Sequence, residues 1–360
     1  MKPIIAIALS GGVDSLVAAR LLKDQGHEVF GVHFFTGYET GSAQPVPEAV
    51  RESAETLAAD LAAQLALPVE VVDCSREFKR RVVDDFTRAY ASGRTPNPCL
   101  ICNPAIKFGV LLQFVCERGA SRLATGHYAR VLADGSGGFK LLKGLDPLKE
   151  QSYFLARLTP QQLARACFPL GAMTKAEVLR LARTHGLVPI RGGESQDVCF
   201  VREGAYTGFL AAQGGFSARP GAIVDTRGNV LGNHRGLHRF TLGQRRGINC
   251  PAPEPYYVVR IEHRQNRLVV GSRRDLLTDR CRVEAINWIG PPPHARLRAH
   301  TRVRYRHHGA PATLTPLDAA TADVAFDTLQ SAVTPGQGAV FYSGEEVLGG
   351  GWIGDPAPAV

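Results

Sequence analysis

A glycine-rich loop near the start of the chain has the residue types that bind an anion. The sequence Ser10-Gly11-Gly12-Val13-Asp14-Ser15 follows an apolar run, Ile4 to Leu9, and precedes a stretch with helical spacing, Leu16 to Leu22. Glycine lets the backbone turn tightly and approach a ligand, and N–H groups at the start of a helix attract negative charge. The chain contains no Gly-x4-Gly-Lys-Ser/Thr sequence, so this is not a Walker loop. We predict an anion-binding turn between a buried strand and a helix.

Three cysteines form the second set of residues that could take part in chemistry. Cys99 and Cys102 form a Cys-x-x-Cys pair, and Cys199 lies in a separate polar stretch. The pair alone fits a zinc half-site, a redox pair or part of an iron–sulfur site, but no second Cys-x-x-Cys follows, which argues against structural zinc. Pro96 and Pro98 predict a stiff loop that would hold the reactive thiols at a defined point. Five isolated cysteines are interpreted as small buried hydrophobic groups: Cys74, Cys116, Cys167, Cys250 and Cys281.

The elements around these stretches alternate between strand and helix. Strands are predicted over residues 4–9, 28–35, 69–73 and 123–126, and helices over residues 16–22, 48–65, 76–92 and 107–118. Thr174 and Glu177 predict a capping box at the start of a later helix. This order predicts an α/β fold with a doubly wound parallel sheet, in which ligands bind at the carboxyl ends of the strands. The glycine loop, Phe34 and Gly126 would meet there.

The sequence changes character near Gly204, which predicts three domains. Residues 1–204 form the α/β domain, residues 205–282 a small basic middle domain, and residues 283–360, with short strands separated by Pro and Gly, a C-terminal β-barrel. The chain of 360 residues has no apolar run approaching a membrane span and no signal-peptide pattern. We therefore expect a soluble cytoplasmic protein.

Positive charge is concentrated in one region. The net charge is +9, and between Arg219 and Arg282 there are 13 arginines and 5 acidic residues. In the last domain, even-numbered positions carry a basic stripe whose period of two predicts one face of a strand: Arg296, Arg298, His300, Arg302, Arg304 and Arg306. Both features suit a polyanion such as RNA, although a plain exposed basic face has the same appearance. His307 and His308 are interpreted as surface groups, because adjacent strand residues point to opposite faces.

Six motifs in fixed order resemble those of the tRNA-specific 2-thiouridylases, and the first also resembles the pyrophosphate loop of the ATP pyrophosphatases. The resemblance covers nearly the whole chain. The motifs are Ser10 to Ser15, Thr95-Pro96-Asn97-Pro98 with Cys102-Asn103, Ala124 to Arg130, Gln151 to Leu155, Glu194 to Phe200, and Phe240 to Gly247.

The resemblance implies the activity of a tRNA-uridine 2-sulfurtransferase. ATP would adenylate the C2 oxygen of the wobble uridine and release pyrophosphate, and sulfur would then displace AMP. Asp14 would help to organise Mg²⁺, Phe34 would lie beside the adenine, and Gly126 would let adenosine lie against the backbone. The implied ATP-binding residues are Ala8, Leu9, Ser10, Gly11, Gly12, Val13, Asp14, Ser15, Phe34 and Gly126.

The resemblance also implies how sulfur moves. Cys199 would carry sulfur as a persulfide, and Cys102 would attack that persulfide, leaving a Cys102–Cys199 disulfide to be reduced. A low thiol pKa would help both residues. Many family members have an acid at the position of Cys99, where it can act as a base. With a thiol there, Cys99, Cys102 and Cys199 could instead hold three irons of a [4Fe–4S] cluster and leave the fourth iron open for sulfide. Both routes stay open at this stage.

The implied partner is tRNA, with the family acting on tRNAs for Lys, Glu and Gln. The target base would lie against Asn97, Pro98 and Cys99, with His127 nearby. Further contacts are implied for Lys149, Glu150, Gln151, Arg304, Tyr305 and Gln337. The sulfur donor would be a persulfide carrier protein or a cysteine desulfurase, and a monomer that binds one tRNA is expected, with no membrane partner. Glu150 stands where Asp is usual, and the atypical loop between Gly37 and Pro47 is assigned no role.

Two other functions share part of this pattern. A small-molecule amide synthetase of the argininosuccinate synthase type would use the glycine loop but would need neither Cys102 nor Cys199. A tRNA-binding protein without catalysis would need neither the loop nor the cysteines. AMP formation that depends on a small amine would favour the first, and absence of tRNA-dependent pyrophosphate release would favour the second.

Overall fold

The computed structural model describes residues 3–135, 137–190, 198–201, 206–213 and 217–355. The first domain is built on a five-stranded sheet in the order β3-β2-β1-β4-β7, and every pairing is parallel. Its strands are β1 (Ile4–Ala8), β2 (Glu28–Phe35), β3 (Val69–Asp73), β4 (Arg122–Ala124) and β7 (Ala166–Cys167). The order reverses between β1 and β4, so the doubly wound parallel sheet is confirmed, and its ligand-binding crevice lies at the carboxyl ends of these two strands.

Helices cover both faces of this sheet. Within the described residues the α-helical segments of the first two domains are α1 (Val13–Asp24), α2 (Pro47–Leu65), α3 (Ser75–Phe78), α4 (Asp84–Ala91), α5 (Cys99–Cys102), α6 (Leu112–Glu117), α7 (Ser152–Leu155), α8 (Pro160–Ala164), α9 (Lys175–Thr184) and α10 (Tyr206–Ala211). Thr174 caps α9 with Glu177 as predicted. The helix predicted over residues 76–92 is interrupted by a π-helical turn, Lys79–Val83.

The cysteine pair lies on a helix, so the predicted stiff loop is wrong for these two residues. α5 continues through a π-helix, Asn103–Leu111, into α6. Pro98 is the N-cap of α5, a place where a missing N–H costs nothing because it would have no partner in the helix. By length and composition this helical run could span a membrane, as core helices of soluble proteins also could. Here Ile106 and Phe108 are buried in the main core.

A four-stranded sheet in the order β10-β11-β8-β9 forms the middle domain. Its strands are β8 (Gly221–Val224), β9 (Val230–His234), β10 (Tyr257–Glu262) and β11 (Arg267–Gly271). Short 3₁₀ turns lie at Leu237–Arg239 and Arg273–Leu276. Arg245 and Arg246 lie on an exposed loop before β10, so the charge of this domain faces solvent.

Six antiparallel strands close into the C-terminal barrel, because β12 pairs with both β15 and β17. They are β12 (Leu277–Trp288), β13 (Leu297–Arg302), β14 (Ala310–Pro316), β15 (Ala322–Ser331), β16 (Gly338–Ser343) and β17 (Glu346–Ile353). β12 crosses the boundary predicted between residues 282 and 283, since the strand is one continuous ladder. A hairpin of the first domain, β5 (Ala129–Ala133) and β6 (Phe139–Lys143), extends the barrel sheet beside β17.

The basic stripe alternates with buried residues as predicted, but the strand ends at Arg302. Arg304 and Arg306 lie beyond it, on an exposed turn. Two of the strand arginines are ion-paired. Arg298 binds Asp327, and Arg302 turns toward Glu150 of the first domain at 2.6 Å. The stripe is therefore less available to RNA than its sequence suggests.

Candidate active site

The glycine loop joins β1 to α1, and hydrogen bonds of Ser10 and Ser15 stabilise its turn. Gly11 has a φ of +83°, which favours glycine, and Gly12 is the N-cap of α1. The Ser15 hydroxyl donates to the Gly12 carbonyl at 2.9 Å, and the Ser10 N–H donates to Ser15 Oγ at 3.3 Å. No side chain caps α1, so its first N–H groups have no side-chain acceptor and can receive an anion.

Asp14 is paired with a lysine that the sequence reading missed. Lys175 Nζ lies 2.6 and 2.8 Å from the two Asp14 carboxylate oxygens, and the Tyr128 hydroxyl donates to one of them at 2.8 Å. Lys175 is the first residue of α9, which the Thr174 capping box begins. The capping box predicted the start of the helix that carries Lys175, but nothing in the neighbouring sequence indicated that this lysine contacts Asp14. The Mg²⁺ role expected for Asp14 does not fit these contacts, because Lys175 already neutralises both oxygens.

The other residues expected to bind ATP lie at the same edge of the sheet. β1 ends at Ala8, β2 ends beside the half-buried Phe34, and Gly126 follows the end of β4. A Cβ atom on Gly126 would lie 3.0 Å from the Asp14 carbonyl carbon and 3.1 Å from the Ser15 nitrogen. The two loops are therefore in contact, and a side chain at this position would have to displace the Asp14–Ser15 backbone slightly.

Lys107 lies close enough to the thiol pair for its charge to act on both thiols. It belongs to the π-helix Asn103–Leu111, in which hydrogen bonds close between residues i and i+5. Burial raises the pKa of both the Cys99 and the Cys102 thiols, and the charge of Lys107 opposes that rise. Within the described residues Lys107 forms no ion pair, and its Nζ lies 3.4 Å from His127 Nε2. Sequence analysis missed Lys107, since the π-helical register has no simple sequence signal.

His127 is buried and uncharged. Burial, together with the charge of Lys107, holds its pKa well below the usual value. An ammonium group can only donate, so His127 Nε2 accepts from Lys107, and Nδ1–H donates to Thr125 Oγ1 at 2.7 Å. His127 thereby connects the loop that follows β4 to the helix that carries the cysteines.

Cys199 belongs to the same cluster of thiols. Its side chain is exposed to solvent, yet the surrounding protein raises its pKa to about 11, with a further contribution from Cys99 and opposition from Lys107. Cys102 is also influenced by Cys199. The adjacent Phe200 is 2% exposed and packs its ring 5.2 Å from Phe86. Residues 194–197 of the predicted motif lie outside the described part of the chain.

All eight cysteines are free, so Cys102 and Cys199 are not joined in this structure. Across the described ranges, no three or more His, Cys, Asp or Glu side chains are arranged to hold a metal ion. The three thiols Cys99, Cys102 and Cys199 therefore do not form a ligand set for an iron–sulfur cluster in this conformation. The cluster does not fit the residues as placed.

The residues expected to contact tRNA fall into two groups. Arg304 is exposed on the barrel, and the half-buried Tyr305 packs its ring 4.3 Å from Phe154 of the first domain. Lys149 is half-buried beside them. The backbone of Asn97 and Pro98 leads directly into α5.

The second group consists of side chains that are engaged inside the protein. Glu150 is 6% exposed and accepts from the Ser152 N–H and from Arg302, so the expected direct contact with tRNA does not fit its placement. Gln151 Oε1 accepts from the Tyr128 N–H at 3.0 Å. Gln337 donates to two backbone carbonyls of the first domain. Arg302 is a further site residue that the stripe pattern alone could not distinguish.

Comparisons with known proteins follow the same division of the chain. Residues 3–203 match a family described as "tRNA methyl transferase HUP domain", residues 207–272 "tRNA methyl transferase PRC-barrel domain", and residues 278–353 "Aminomethyltransferase beta-barrel domain". A protein of Desulfosudis oleivorans named "tRNA-specific 2-thiouridylase MnmA" is 50% identical over 352 residues, covering 98% of this chain and 95% of that protein. Proteins with the same name from Geobacter metallireducens and Trichormus variabilis are 46% and 42% identical, covering 97% and 98% of this chain and 96% and 99% of their own.

Proposed function

Because this chain belongs to the tRNA-specific 2-thiouridylase family, we propose that it uses ATP to replace the C2 oxygen of the wobble uridine of tRNA with sulfur. One observation carries the proposal. The glycine loop contacts Gly126, the next residue, His127, is hydrogen-bonded to Lys107, and the charge of Lys107 acts on the three thiols. An anion site and a sulfur site are thus joined by a short chain of contacts.

The first proposed step is adenylation. The α1 N-terminus and the loop N–H groups bind the phosphates, and Lys175 neutralises the Asp14 carboxylate, which would otherwise repel them. The uridine C2 oxygen attacks the α-phosphorus, a C2–O–P bond forms, and pyrophosphate leaves. Adenylation converts a poor leaving group into AMP. ATP is the proposed cofactor, and no step is assigned to Mg²⁺, since Lys175 occupies both oxygens of Asp14.

The second proposed step moves sulfur through Cys199 and Cys102. Cys199 receives the outer sulfur of a persulfide donor. The Cys102 thiolate attacks the inner sulfur of the Cys199 persulfide, which forms a Cys102–Cys199 disulfide and expels hydrosulfide. Hydrosulfide adds to C2, AMP leaves, and a proton is released. Two external thiol groups, or one dithiol, then reduce the Cys102–Cys199 disulfide to two thiols and are themselves oxidised to a disulfide. Lys107 stabilises the sulfur anions, because its charge opposes the burial that disfavours them.

The proposed tRNA surface spans three domains. Asn97, Pro98 and Cys99 bind the base, and Lys149, Arg304 and Tyr305 contact the surrounding backbone. In the middle domain, several exposed arginines form no ion pair with any described residue, and four of these are proposed to bind phosphate: Arg235, Arg239, Arg245 and Arg246. Glu150, Gln151 and Gln337 contribute by holding backbone segments in place. The same proposal includes a limit of the first domain at residue 204, a cytoplasmic location, a monomeric state and tRNAs for Lys, Glu and Gln as substrates.

Pyrophosphate release tests the first step directly. The purified protein is mixed with ATP and a tRNA transcript that carries a wobble uridine, with a matched transcript that carries wobble cytidine as the control. We expect pyrophosphate only with uridine. Cys102→Ser and Cys199→Ser keep this release but form no 2-thiouridine from a persulfide donor, whereas Cys281→Ser retains both activities. Release that depends on a small amine and not on tRNA would instead indicate an amide synthetase.

Iron analysis tests the alternative sulfur route. Protein purified without air is assayed for iron and acid-labile sulfide together with tRNA thiolation. We expect thiolation by metal-free protein, because the three thiols are not arranged as a ligand set. A near-stoichiometric cluster that Cys99→Ala removes together with thiolation would contradict the disulfide route.

A further inference from the structure

The loop that is proposed to bind the uridine is held by two domains. Within its own domain, the Leu100 N–H donates to the Asn97 carbonyl at 3.2 Å and the Cys102 N–H donates to the Pro98 carbonyl at 2.8 Å. This loop, residues 95–98 (the base loop), contains two prolines and therefore lacks two N–H donors. The Thr95 N–H donates to the Pro335 carbonyl of the barrel at 3.0 Å. The carbonyls of Thr95 and Pro96 both accept from Gln337 Nε2, each at 3.1 Å. The first half of the base loop is thus bonded to the barrel.

The barrel segment that makes these bonds is the turn before β16, residues 335–338 (the docking turn). It is itself tied to the barrel, because the Gly336 N–H donates to the Ile353 carbonyl at 2.9 Å and the Ile353 N–H donates to the Gln337 carbonyl at 2.9 Å. The Tyr153 hydroxyl donates to the Gly338 carbonyl at 3.0 Å. The docking turn is therefore anchored to β17 by backbone hydrogen bonds.

Close packing accompanies the hydrogen bonds. A Cβ atom on Gly336 would lie 2.9 Å from Arg94 Cβ and within 3.1 Å of the Thr95 backbone nitrogen. On Gly338 it would lie 2.3 Å from Leu100 Cδ1, in the helix between the two cysteines. The docking turn is therefore pressed against both ends of the base loop, and a displacement of the turn would be transmitted to Cys99.

Gln337 has the geometry of a positioning residue. A carboxamide has two N–H donors, and two carbonyl acceptors of the base loop face Nε2. The acceptors also fix the orientation of the amide, because the oxygen would be repelled by both carbonyls. Gln337 therefore has no N–H left to donate to RNA.

We propose that the barrel positions the uridine site of the first domain, and that Gln337 and the docking turn hold the base loop and the start of α5 in the reactive geometry. This inference rests on the proposed function. It assigns the barrel a part in adenylation beyond RNA binding, since a misplacement of about 1 Å can reduce a rate by about 100-fold.

Two matched glycine variants test the proposal. Gly336 and Gly344 both have positive φ, +86° and +58°, so alanine strains the backbone at either position. A Cβ atom at Gly344 meets nothing within 4 Å, whereas at Gly336 it meets the base loop. Tryptophan fluorescence reports barrel folding, because Trp288 and Trp352 lie on barrel strands. Both variants should unfold at similar denaturant concentrations.

Kinetics then separate positioning from RNA binding. Pyrophosphate release is measured in a single turnover at saturating tRNA, and the tRNA Kd is measured by filter binding. Gln337→Glu places a carboxylate against the two base-loop carbonyls that now accept from Gln337. For this variant and for Gly336→Ala, we expect the rate of pyrophosphate release to fall by roughly 10- to 100-fold. The tRNA Kd should change less than about twofold. Gly344→Ala should match the wild type. Gln337→Glu keeps the test valid if Gly336→Ala fails to fold.

Two results would overturn the inference. One is a weakened tRNA Kd with a normal rate at saturation, which would make Gln337 an RNA contact. The other is normal kinetics in both variants. Failure of the proposed function looks different, since the wild-type protein itself would then show no tRNA-dependent pyrophosphate release.

Discussion

Lys107 Nζ lies 3.4 Å from Nε2 of the buried, neutral His127. This contact uses one ammonium hydrogen and leaves two that can face anions. The charge of Lys107 acts on Cys99, Cys102 and Cys199 alike. A single cation therefore serves the whole sulfur site, and His127 fixes its position.

Replacing Lys107 should separate sulfur transfer from adenylation. Lys107→Met removes the charge that opposes burial of the thiols, and each unit of thiol pKa reduces the thiolate fraction about tenfold. We expect 2-thiouridine formation to fall roughly tenfold or more while tRNA-dependent pyrophosphate release changes little. Lys107→Arg should recover part of the sulfur transfer. Equal loss of both activities in Lys107→Met would mean that the residue acts on adenylation.

Alkylation of Cys199 should depend steeply on pH. Cys199 is exposed as a whole residue, but desolvation by the protein packed around its thiol raises the thiol pKa to about 11. Only the thiolate reacts, so the rate with iodoacetamide should rise about tenfold per pH unit between about pH 7 and 10. Because the Cys199 pKa is higher in the folded protein than in the unfolded chain, this thiol contributes to folding stability at pH values below its unfolded pKa. That contribution is lost as pH rises through the folded pKa. Site-resolved mass spectrometry measures the rate, and urea-unfolded protein is the control. A plateau near pH 9 in the folded protein would contradict the raised pKa.

Gly126→Ala should weaken ATP binding. The new Cβ atom would meet the Asp14 and Ser15 backbone at 3.0–3.1 Å, and overpacking costs about 1–3 kcal/mol. We expect the KM for ATP to rise roughly tenfold, measured by pyrophosphate release at saturating tRNA. Gly290→Ala is the matched control, since its Cβ meets nothing within 4 Å. An unchanged KM would show that the two loops do not form the nucleotide site together.

The buried ion pair between Glu150 and Arg302 should matter for stability. Arg302→Met leaves the buried Glu150 carboxylate without its charged partner, with only the Ser152 N–H donating to it, and such a change costs about 3–5 kcal/mol. The barrel tryptophans report this loss in denaturant unfolding. The double variant Glu150→Met with Arg302→Met should recover most of it, because neither charge then remains. Arg298→Met breaks an exposed pair on the same strand and should change stability little. A loss as large in Arg298→Met would contradict this reasoning.

Local patterns predicted much of the fold and of the nucleotide side of the site. β2 and β3 begin and end where the apolar runs predicted, and Thr174 caps α9. These features depend on neighbouring residues, whose spacing determines burial and capping. The alternation of buried and exposed residues along β13 follows for the same reason.

Contacts between distant segments could not be predicted in this way. Lys175 pairs with Asp14 across 161 positions, Arg302 with Glu150 across 152, and Gln337 with Thr95 across 242. Motif spacing carries no information about which of several lysines, arginines or glutamines will meet a given partner. The prediction also failed locally at the Cys99–Cys102 pair. A segment with two prolines that leads into a π-helix looks like a loop in sequence, whereas the structure has a helix there.

The sequence by itself determined the doubly wound sheet, the glycine-rich turn between β1 and α1 and the spacing of the cysteines, because these depend on hydrophobic periodicity and on residue type. Only the tertiary structure decided which charges neutralise one another, which cation faces the thiols, and that the barrel holds the base loop. Those outcomes depend on how separate domains pack, and side chains far apart in the chain become partners only when burial removes water from between them.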